Sequence, residues 1–95
     1  MKFIAIETEI PGAPEEQIQP FLKAESKRVL ELYENGIIRE IYFKAEQHNA
    51  VLILECIDKT DAENILHTLP LVNEKLIAFD VSQLIPYNGF SKLIS

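Results

Sequence analysis

Glu25 is the acidic residue best placed in this sequence to transfer a proton. Within residues 20 to 34, one arc of about 120° holds five apolar residues at helical spacing: Phe21, Leu22, Val29, Leu32 and Tyr33. Glu25 lies inside that arc, whereas Lys23, Lys27, Glu31 and Glu34 lie on the opposite side. A carboxyl group directed toward a core needs a partner or a proton, and burial raises its pKa toward the range of a general acid or base. The pattern predicts that Glu25 either transfers a proton or forms a structural ion pair.

Arg39 introduces a positive charge into an apolar row. The two-residue period of a strand puts it on one face with three apolar residues: Ile37, Ile41 and Phe43. A guanidinium binds a carboxylate through two parallel hydrogen bonds. The sequence leaves open whether that carboxylate belongs to a ligand or to the chain itself. The candidate acids of the chain are Glu7, Glu25 and Glu55.

Polar residues on the neighbouring segments complete the candidate site. Glu55 alternates with apolar residues, where cross-strand pairing with Arg39 is the structural alternative. The hydroxyl groups of Tyr42 and Ser26 would donate to a ligand oxygen or a developing enolate. Their structural alternatives are packing for Tyr42 and a bond to the helix backbone for Ser26. We predict Glu25 and Arg39 as catalytic residues. The predicted ligand-binding residues are Ser26, Tyr42, Glu55 and Glu7.

The sequence lacks the patterns of metal, nucleotide and nucleic-acid sites. One cysteine, Cys56, and two histidines, His48 and His67, do not make a structural zinc site. The three glycines form no phosphate-binding loop. Nine basic residues against fifteen acidic ones give a net charge of −6, which argues against a phosphate-binding face. We predict no metal, no cofactor and no nucleic-acid partner, with His48 solvated in a loop and Cys56 buried as a small hydrophobe.

Turn and capping residues divide the chain into the order β-α-β-β-α-β. The predicted strands are Lys2 to Glu9, 37 to 45, 50 to 58 and 76 to 85. A helix over residues 20 to 34 ends at a Gly36 cap, and a second begins at a capping box on Thr60 and ends at Pro70. The order is typical of a ferredoxin-like α+β fold, a four-stranded antiparallel sheet with two helices on one face.

Length and composition predict a single domain over residues 1–95 that associates with itself. A chain of 95 residues, 47% of them hydrophobic, supports one core. The first apolar run holds four residues, too few for a signal sequence or a membrane span, and a lone cysteine favours the cytoplasm. The tail over residues 86–95 is apolar, and one face of the sheet is left bare. We therefore expect a homodimer or larger homo-oligomer, with the tail packing on a neighbouring subunit.

Three short segments carry a resemblance to a known family. They are Leu22-Lys23-Ala24-Glu25-Ser26-Lys27, Gly36-Ile37-Ile38-Arg39 and Leu69-Pro70-Leu71. In these motifs and their spacing the chain resembles the muconolactone isomerase-like family. The resemblance implies a dimeric α/β barrel built from sheet-to-sheet dimers, with a small ligand pocket between the first helix and the sheet.

The resemblance also implies an activity. Isomerases of this family carry two successive acids on the first helix, and the second is the favoured proton shuttle; here Glu25 matches the first and Ser26 stands at the second. We predict a cofactor-independent, isomerase-like protein that binds a small organic acid or lactone and transfers a proton adjacent to a carbonyl. In this scheme Arg39 holds the ligand carboxylate. The alternative is a non-catalytic ligand-binding or structural oligomeric protein.

Overall fold

The computed structural model describes residues 1–94, and its elements follow the predicted order. The strands are β1 (Lys2–Glu9), β2 (Ile38–Phe43), β3 (Ala50–Glu55) and β4 (Ile77–Leu84). The helices are α1 (Glu15–Ile18), α2 (Leu22–Glu34), α3 (Lys59–Leu66) and α4 (Pro70–Asn73). Two 3-10 turns, Gln19–Phe21 and Gly89–Leu93, complete the described elements.

The four strands form one antiparallel sheet in the order β2-β3-β1-β4. The helices cover one face of it, which confirms the predicted α+β ferredoxin-like fold. In the described chain β2 and β4 are edge strands, so the sheet is open and does not close into a barrel on its own. The barrel needs a second copy of the chain, and that part of the prediction stays a prediction.

The core lies between the sheet and the long helices. Alternate residues of the two central strands point into it because side chains of a strand alternate between faces. Its fully buried or nearly buried members include Phe3, Ala5, Leu32, Leu52, Leu54, Cys56, Ala62, Leu66 and Leu69. Full burial of a large apolar side chain contributes about 1.5–3 kcal/mol. This cluster therefore fixes α2 and α3 against β1 and β3.

Helix α2 ends as its sequence predicts. The 3-10 turn that contains Pro20 precedes the helix, and Gly36 follows it with φ of +77°. The amide of Gly36 donates to the Tyr33 carbonyl at 3.1 Å, and the amide of Ile37 donates to the Leu32 carbonyl at 2.9 Å. This pair of bonds is a Schellman motif, which uses glycine because glycine adopts a positive φ without steric cost.

The N-cap residue of helix α3 lies two positions before the predicted cap, Thr60. Asp58 is the N-cap residue, and its carboxylate accepts a hydrogen bond from the Asp61 amide at 2.7 Å. The Asp61 carboxylate in turn accepts from the Ile57 amide at 3.0 Å. The expected cap at Thr60 is wrong because the Asp58 side chain occupies the cap position and accepts from the Asp61 amide in the first turn of the helix.

A short helix that the sequence did not predict follows α3. Helix α3 ends at Leu66, and Pro70 begins α4 rather than stopping α3. Proline suits the first position of a helix because its missing amide hydrogen has no partner there. Lys75, two residues after the end of α4, has a positive φ of +59°. The Leu76 amide donates to the Leu71 carbonyl at 2.9 Å. This is a Schellman ending with lysine where glycine is usual.

The chain after β4 is apolar and contains the 3-10 turn Gly89–Leu93. The Tyr87 ring packs edge-on against Phe90, with ring centroids 4.8 Å apart. Both side chains remain mostly exposed, as do those of Leu93 and Ile94. Packing of this tail on a neighbouring subunit stays a prediction, and its last residue, Ser95, lies outside the described residues. Over residues 1–94 no helix has the length and apolar character needed to cross a membrane.

Candidate functional site

A half-open cavity of about 660 Å³ lies between α2 and the helix-covered face of the sheet. Helix α2, α4 and all four strands contribute to its walls. Its apolar lining includes Leu22, Val29, Leu30, Ile41, Leu52 and Phe79. Its polar or titratable lining residues are Glu7, Glu25, Ser26, Tyr33 and His48. The volume is that of a pocket for a small organic molecule.

Glu25 lies on the α2 wall of this cavity. Its Oε1 accepts a hydrogen bond from the Leu71 amide at 3.0 Å. Leu71 is the second residue of α4, so Glu25 satisfies a free amide at the start of a helix 46 residues away. Burial raises the pKa of the Glu25 carboxyl, the bond from Leu71 opposes that rise, and the negative charge of Glu7 adds to it.

Glu7 lies on β1, opposite Phe79 of β4, and lines the same cavity. Its Oε1 accepts a hydrogen bond from the Ala50 amide at 2.9 Å. Its carbonyl oxygen accepts a second bond from the Asn49 side-chain amide at 3.2 Å. Glu7 therefore fastens the end of the β2–β3 hairpin to β1 and brings a second carboxylate into the electrostatic field of Glu25.

The predicted apolar arc of α2 forms a cavity wall as well as a core. Leu32 is buried as predicted, but Leu22 and Tyr33 are 41% and 53% exposed. Both line the cavity, as does Ser26. The apolar residues of this helix therefore exceed those that the sheet covers.

Arg39 lies away from the cavity. A shift of register between Ile38 and Glu40 puts Arg39 at a β-bulge, so the strict two-residue period does not hold there. The expectation that Arg39 shares one face with Ile41 through a regular strand is therefore wrong. Its side chain is exposed. Within residues 1–94 it forms no ion pair with any of the acids that the sequence offered as partners.

Tyr42 and Glu55 are also separated from the cavity. Tyr42 pairs with Val51 and its hydroxyl donates to the Glu40 carboxylate at 2.6 Å. Glu55 lies 3.5 Å from the amino group of Met1, and its side chain is 44% exposed. Of the six predicted site residues, the fold brings together three at the cavity: Glu7, Glu25 and Ser26.

His48 is exposed in the loop between β2 and β3, as predicted, and it also lines the cavity. Its ring stacks on Phe43 with centroids 4.2 Å apart and an angle of 13° between the planes. Its φ of +58° lies in the left-handed region, which histidine adopts more readily than most residues. The loop is closed by a bond from the Lys44 amide to the Asn49 carbonyl at 2.9 Å. The sequence signal for this contact is a histidine in a short hairpin loop that follows an aromatic residue at the end of a strand.

The arrangement supplies carboxylates, hydroxyl groups and an imidazole in apolar surroundings. A carboxylate whose pKa is raised accepts a proton from carbon more effectively, and a hydroxyl or imidazole N–H donates to the oxyanion that results. Among residues 1–94, no lysine or arginine lines the cavity. Nor do three or more metal-ligating side chains cluster anywhere in that part of the chain.

Comparison with known proteins assigns the chain to a family. The family model of muconolactone delta-isomerase matches residues 1–88. The crystal structure of a muconolactone isomerase superposes with a TM-score of 0.70 at 21% identity and covers 93% of this chain and 92% of that one.

A second solved structure has the same fold. It is a 5-chloro-2-hydroxyhydroquinone dehydrochlorinase from Burkholderia phenoliruptrix AC1100 in complex with 2,5-dihydroxybenzoquinone, with a TM-score of 0.68 at 16% identity. The match covers 94% of this chain and 98% of that one. Comparison with the curated proteins finds no sequence match. Because the family model spans nearly the whole sequence, the chain belongs to the muconolactone delta-isomerase family.

Proposed function

We propose that this protein is a cofactor-independent, isomerase-like enzyme that moves a proton adjacent to the carbonyl of a small lactone or organic acid. The observation that carries the proposal is the position of Glu25. Its carboxyl group lines a cavity of ligand size, it is held by a single backbone bond, and burial raises its pKa. The proposal assigns no role to Arg39, because Arg39 is not among the described residues that line the cavity.

The reaction uses Glu25 as base and then as acid. The Leu71 amide holds Oε1, which leaves the second carboxylate oxygen to take a proton from the carbon next to the ligand carbonyl. The electron pair of the C–H bond moves into the carbonyl to form an enolate. The Ser26 hydroxyl or the His48 imidazole donates to the enolate oxygen. Return of the same proton to the far end of an extended enolate shifts the double bond.

The raised pKa of Glu25 supports this role. An ordinary exposed carboxylate is a weak base for a carbon acid, and the efficiency of proton transfer rises as the pKa of the base approaches the working pH. Burial and the negative charge of Glu7 both act in that direction. The hydrogen bond from Leu71 limits the rise and keeps the carboxylate in one orientation.

Exchange of substrate protons with deuterated water tests the proposal. We expect an unsaturated lactone with an acidic C–H to exchange with solvent in the presence of the protein, followed by proton NMR. Glu25→Gln retains an oxygen for the Leu71 amide but removes the base, so the exchange rate should fall by at least about a hundredfold. Glu63→Gln, an exposed substitution on α3, is the matched control and should leave exchange unchanged. Retention of exchange in Glu25→Gln would remove Glu25 from the mechanism.

A non-catalytic ligand-binding function is the second candidate. The observation in its favour is Ser26, which stands where the resemblance implies a second acid. This function predicts that a lactone binds and raises the melting temperature while its protons do not exchange. The NMR experiment therefore separates an enzyme from a carrier or sensor.

Self-association is part of the proposal. The sheet face away from the helices carries partly exposed apolar residues, which are Ile4, Ile6, Val51 and Ile53. The apolar tail adds further exposed surface. We expect sedimentation to detect a homo-oligomer that becomes smaller when residues 87–95 are deleted, and an unchanged sedimentation coefficient would refute a role for the tail. A lone cysteine supports the cytoplasm as the compartment.

A further inference from the structure

The charge on the cavity wall restricts which ligands it accepts. Glu7 and Glu25 both line it, and the described chain adds no lysine or arginine to the lining. From this distribution we infer that the cavity takes an uncharged unsaturated ring, such as a lactone with a hydroxyl-bearing side chain, in preference to the same ring with a carboxylate. This inference rests on the proposed function and narrows its substrate class.

Electrostatic repulsion disfavours an anionic ligand. A ligand carboxylate in this cavity would stand near two carboxylates in apolar surroundings, where like charges repel more strongly than in water. It would also lose its hydration without a guanidinium to replace it. Arg39, the cation that the sequence offered for this purpose, is outside the cavity. The His48 imidazole also lines the cavity, with its ring stacked on Phe43.

The shape and chemistry of the walls favour a flat ligand with a hydrogen-bond donor. Aromatic side chains border the cavity, including the stacked pair of Phe43 and His48 and the rings of Tyr33 and Phe79. A flat ring packs against such surfaces. Glu7 uses Oε1 for the Ala50 amide, and its other carboxylate oxygen can accept a bond from a ligand hydroxyl.

A matched pair of ligands tests the inference by isothermal titration calorimetry at about pH 8, where carboxylates are ionised. One ligand is a butenolide with a hydroxyethyl side chain, and the other is the same ring with a carboxymethyl side chain of nearly equal size. We expect the carboxymethyl compound to bind at least about tenfold more weakly. Glu7→Gln keeps an acceptor for the Ala50 amide, so it should fold normally and reduce that difference. Glu63→Gln removes the same charge outside the cavity and should not.

Two results would overturn the inference. The carboxymethyl compound could bind as tightly as its hydroxyethyl partner, or neither compound could bind. A failure of proton transfer has a different signature, because the hydroxyethyl compound would then bind without exchanging its protons. Preference for the carboxymethyl compound together with exchange would refute the ligand class alone.

Discussion

Glu25 connects two helices, so its truncation has a structural consequence that is separable from catalysis. Its Oε1 is the acceptor for the Leu71 amide near the start of α4, and the cap residue before α4, Leu69, has no polar side chain. Glu25→Ala removes the acceptor and leaves this partly buried amide without a protein partner. Glu25→Gln keeps an uncharged side-chain oxygen on a side chain of the same length, so it can still accept the bond from the Leu71 amide.

The expected magnitudes follow from the type of bond that is lost. A hydrogen bond to a charged group contributes about 1.5–3 kcal/mol. Part of this is offset because truncation also relieves the cost of partly burying the carboxylate near Glu7. We therefore expect Glu25→Ala to lower the free energy of unfolding by about 1–2 kcal/mol, or the melting temperature by about 4–16 °C for a domain of this size. Glu25→Gln should stay within about 0.5 kcal/mol of the parent.

Thermal unfolding followed by circular dichroism measures the difference. Glu31→Ala, the same truncation on the exposed side of α2, is the control and should shift stability by less than about 0.5 kcal/mol. Equal stability of Glu25→Ala and Glu25→Gln would refute the reasoning, because it would mean that the Leu71 bond contributes nothing. If Glu31→Ala lost as much stability as Glu25→Ala, the loss would come from truncating a side chain of α2 and not from removing the Leu71 bond.

Three further predictions concern local structure and pH. Lys75→Gly should raise the free energy of unfolding by about 1 kcal/mol, measured by urea denaturation, because glycine adopts the positive φ at this helix end without strain. Asp58→Ala should cost about 1 kcal/mol in the same assay while Thr60→Ala costs less than about 0.5 kcal/mol, and the reverse order would restore Thr60 as the cap. The pKa of Glu25 is raised above its ordinary value of 4.5 in the folded state, so its favourable contribution is present below that value and is lost as pH rises through the folded pKa. Relative to Glu25→Gln, the parent should therefore lose thermal stability as the pH rises from the ordinary value of 4.5 through the raised folded pKa of Glu25, and a flat difference would contradict the raised pKa.

The predictable part of the fold is encoded in short stretches of sequence. β1 has the predicted bounds, Lys2–Glu9, because a β-rich run ends there at turn-forming residues. Gly36 ends α2 through the bond of its own amide to Tyr33 and that of the Ile37 amide to Leu32, so the signal and its effect lie within a few residues of each other. The error at Thr60 is also local. Asp58 and Thr60 are both suitable cap residues, and the helix uses Asp58, together with Asp61.

The site depended on contacts that no local pattern contains. The face predicted for Arg39 rests on strand period, and one irregular residue in the pairing of β2 with β3 is enough to break that argument. Tyr42 shares a sheet with Glu7, yet it belongs to the other face, because side chains alternate along β2 and its neighbours Ile41 and Phe43 line the cavity. His48 lies exposed in its loop as predicted, but its contact with Phe43 at the cavity depends on the direction in which the hairpin loop folds, which the sequence does not state.

The sequence by itself determined the order of the elements, the family and the direction of Glu25, since these follow from periodicity and from motifs within a few residues of one another. Only the tertiary structure decided which polar groups share the cavity. The bonds of Glu25 to Leu71 and of Glu7 to Ala50 join residues 46 and 43 positions apart. Such contacts form only after the helices pack on the sheet, and their geometry depends on the register and packing of every element between them.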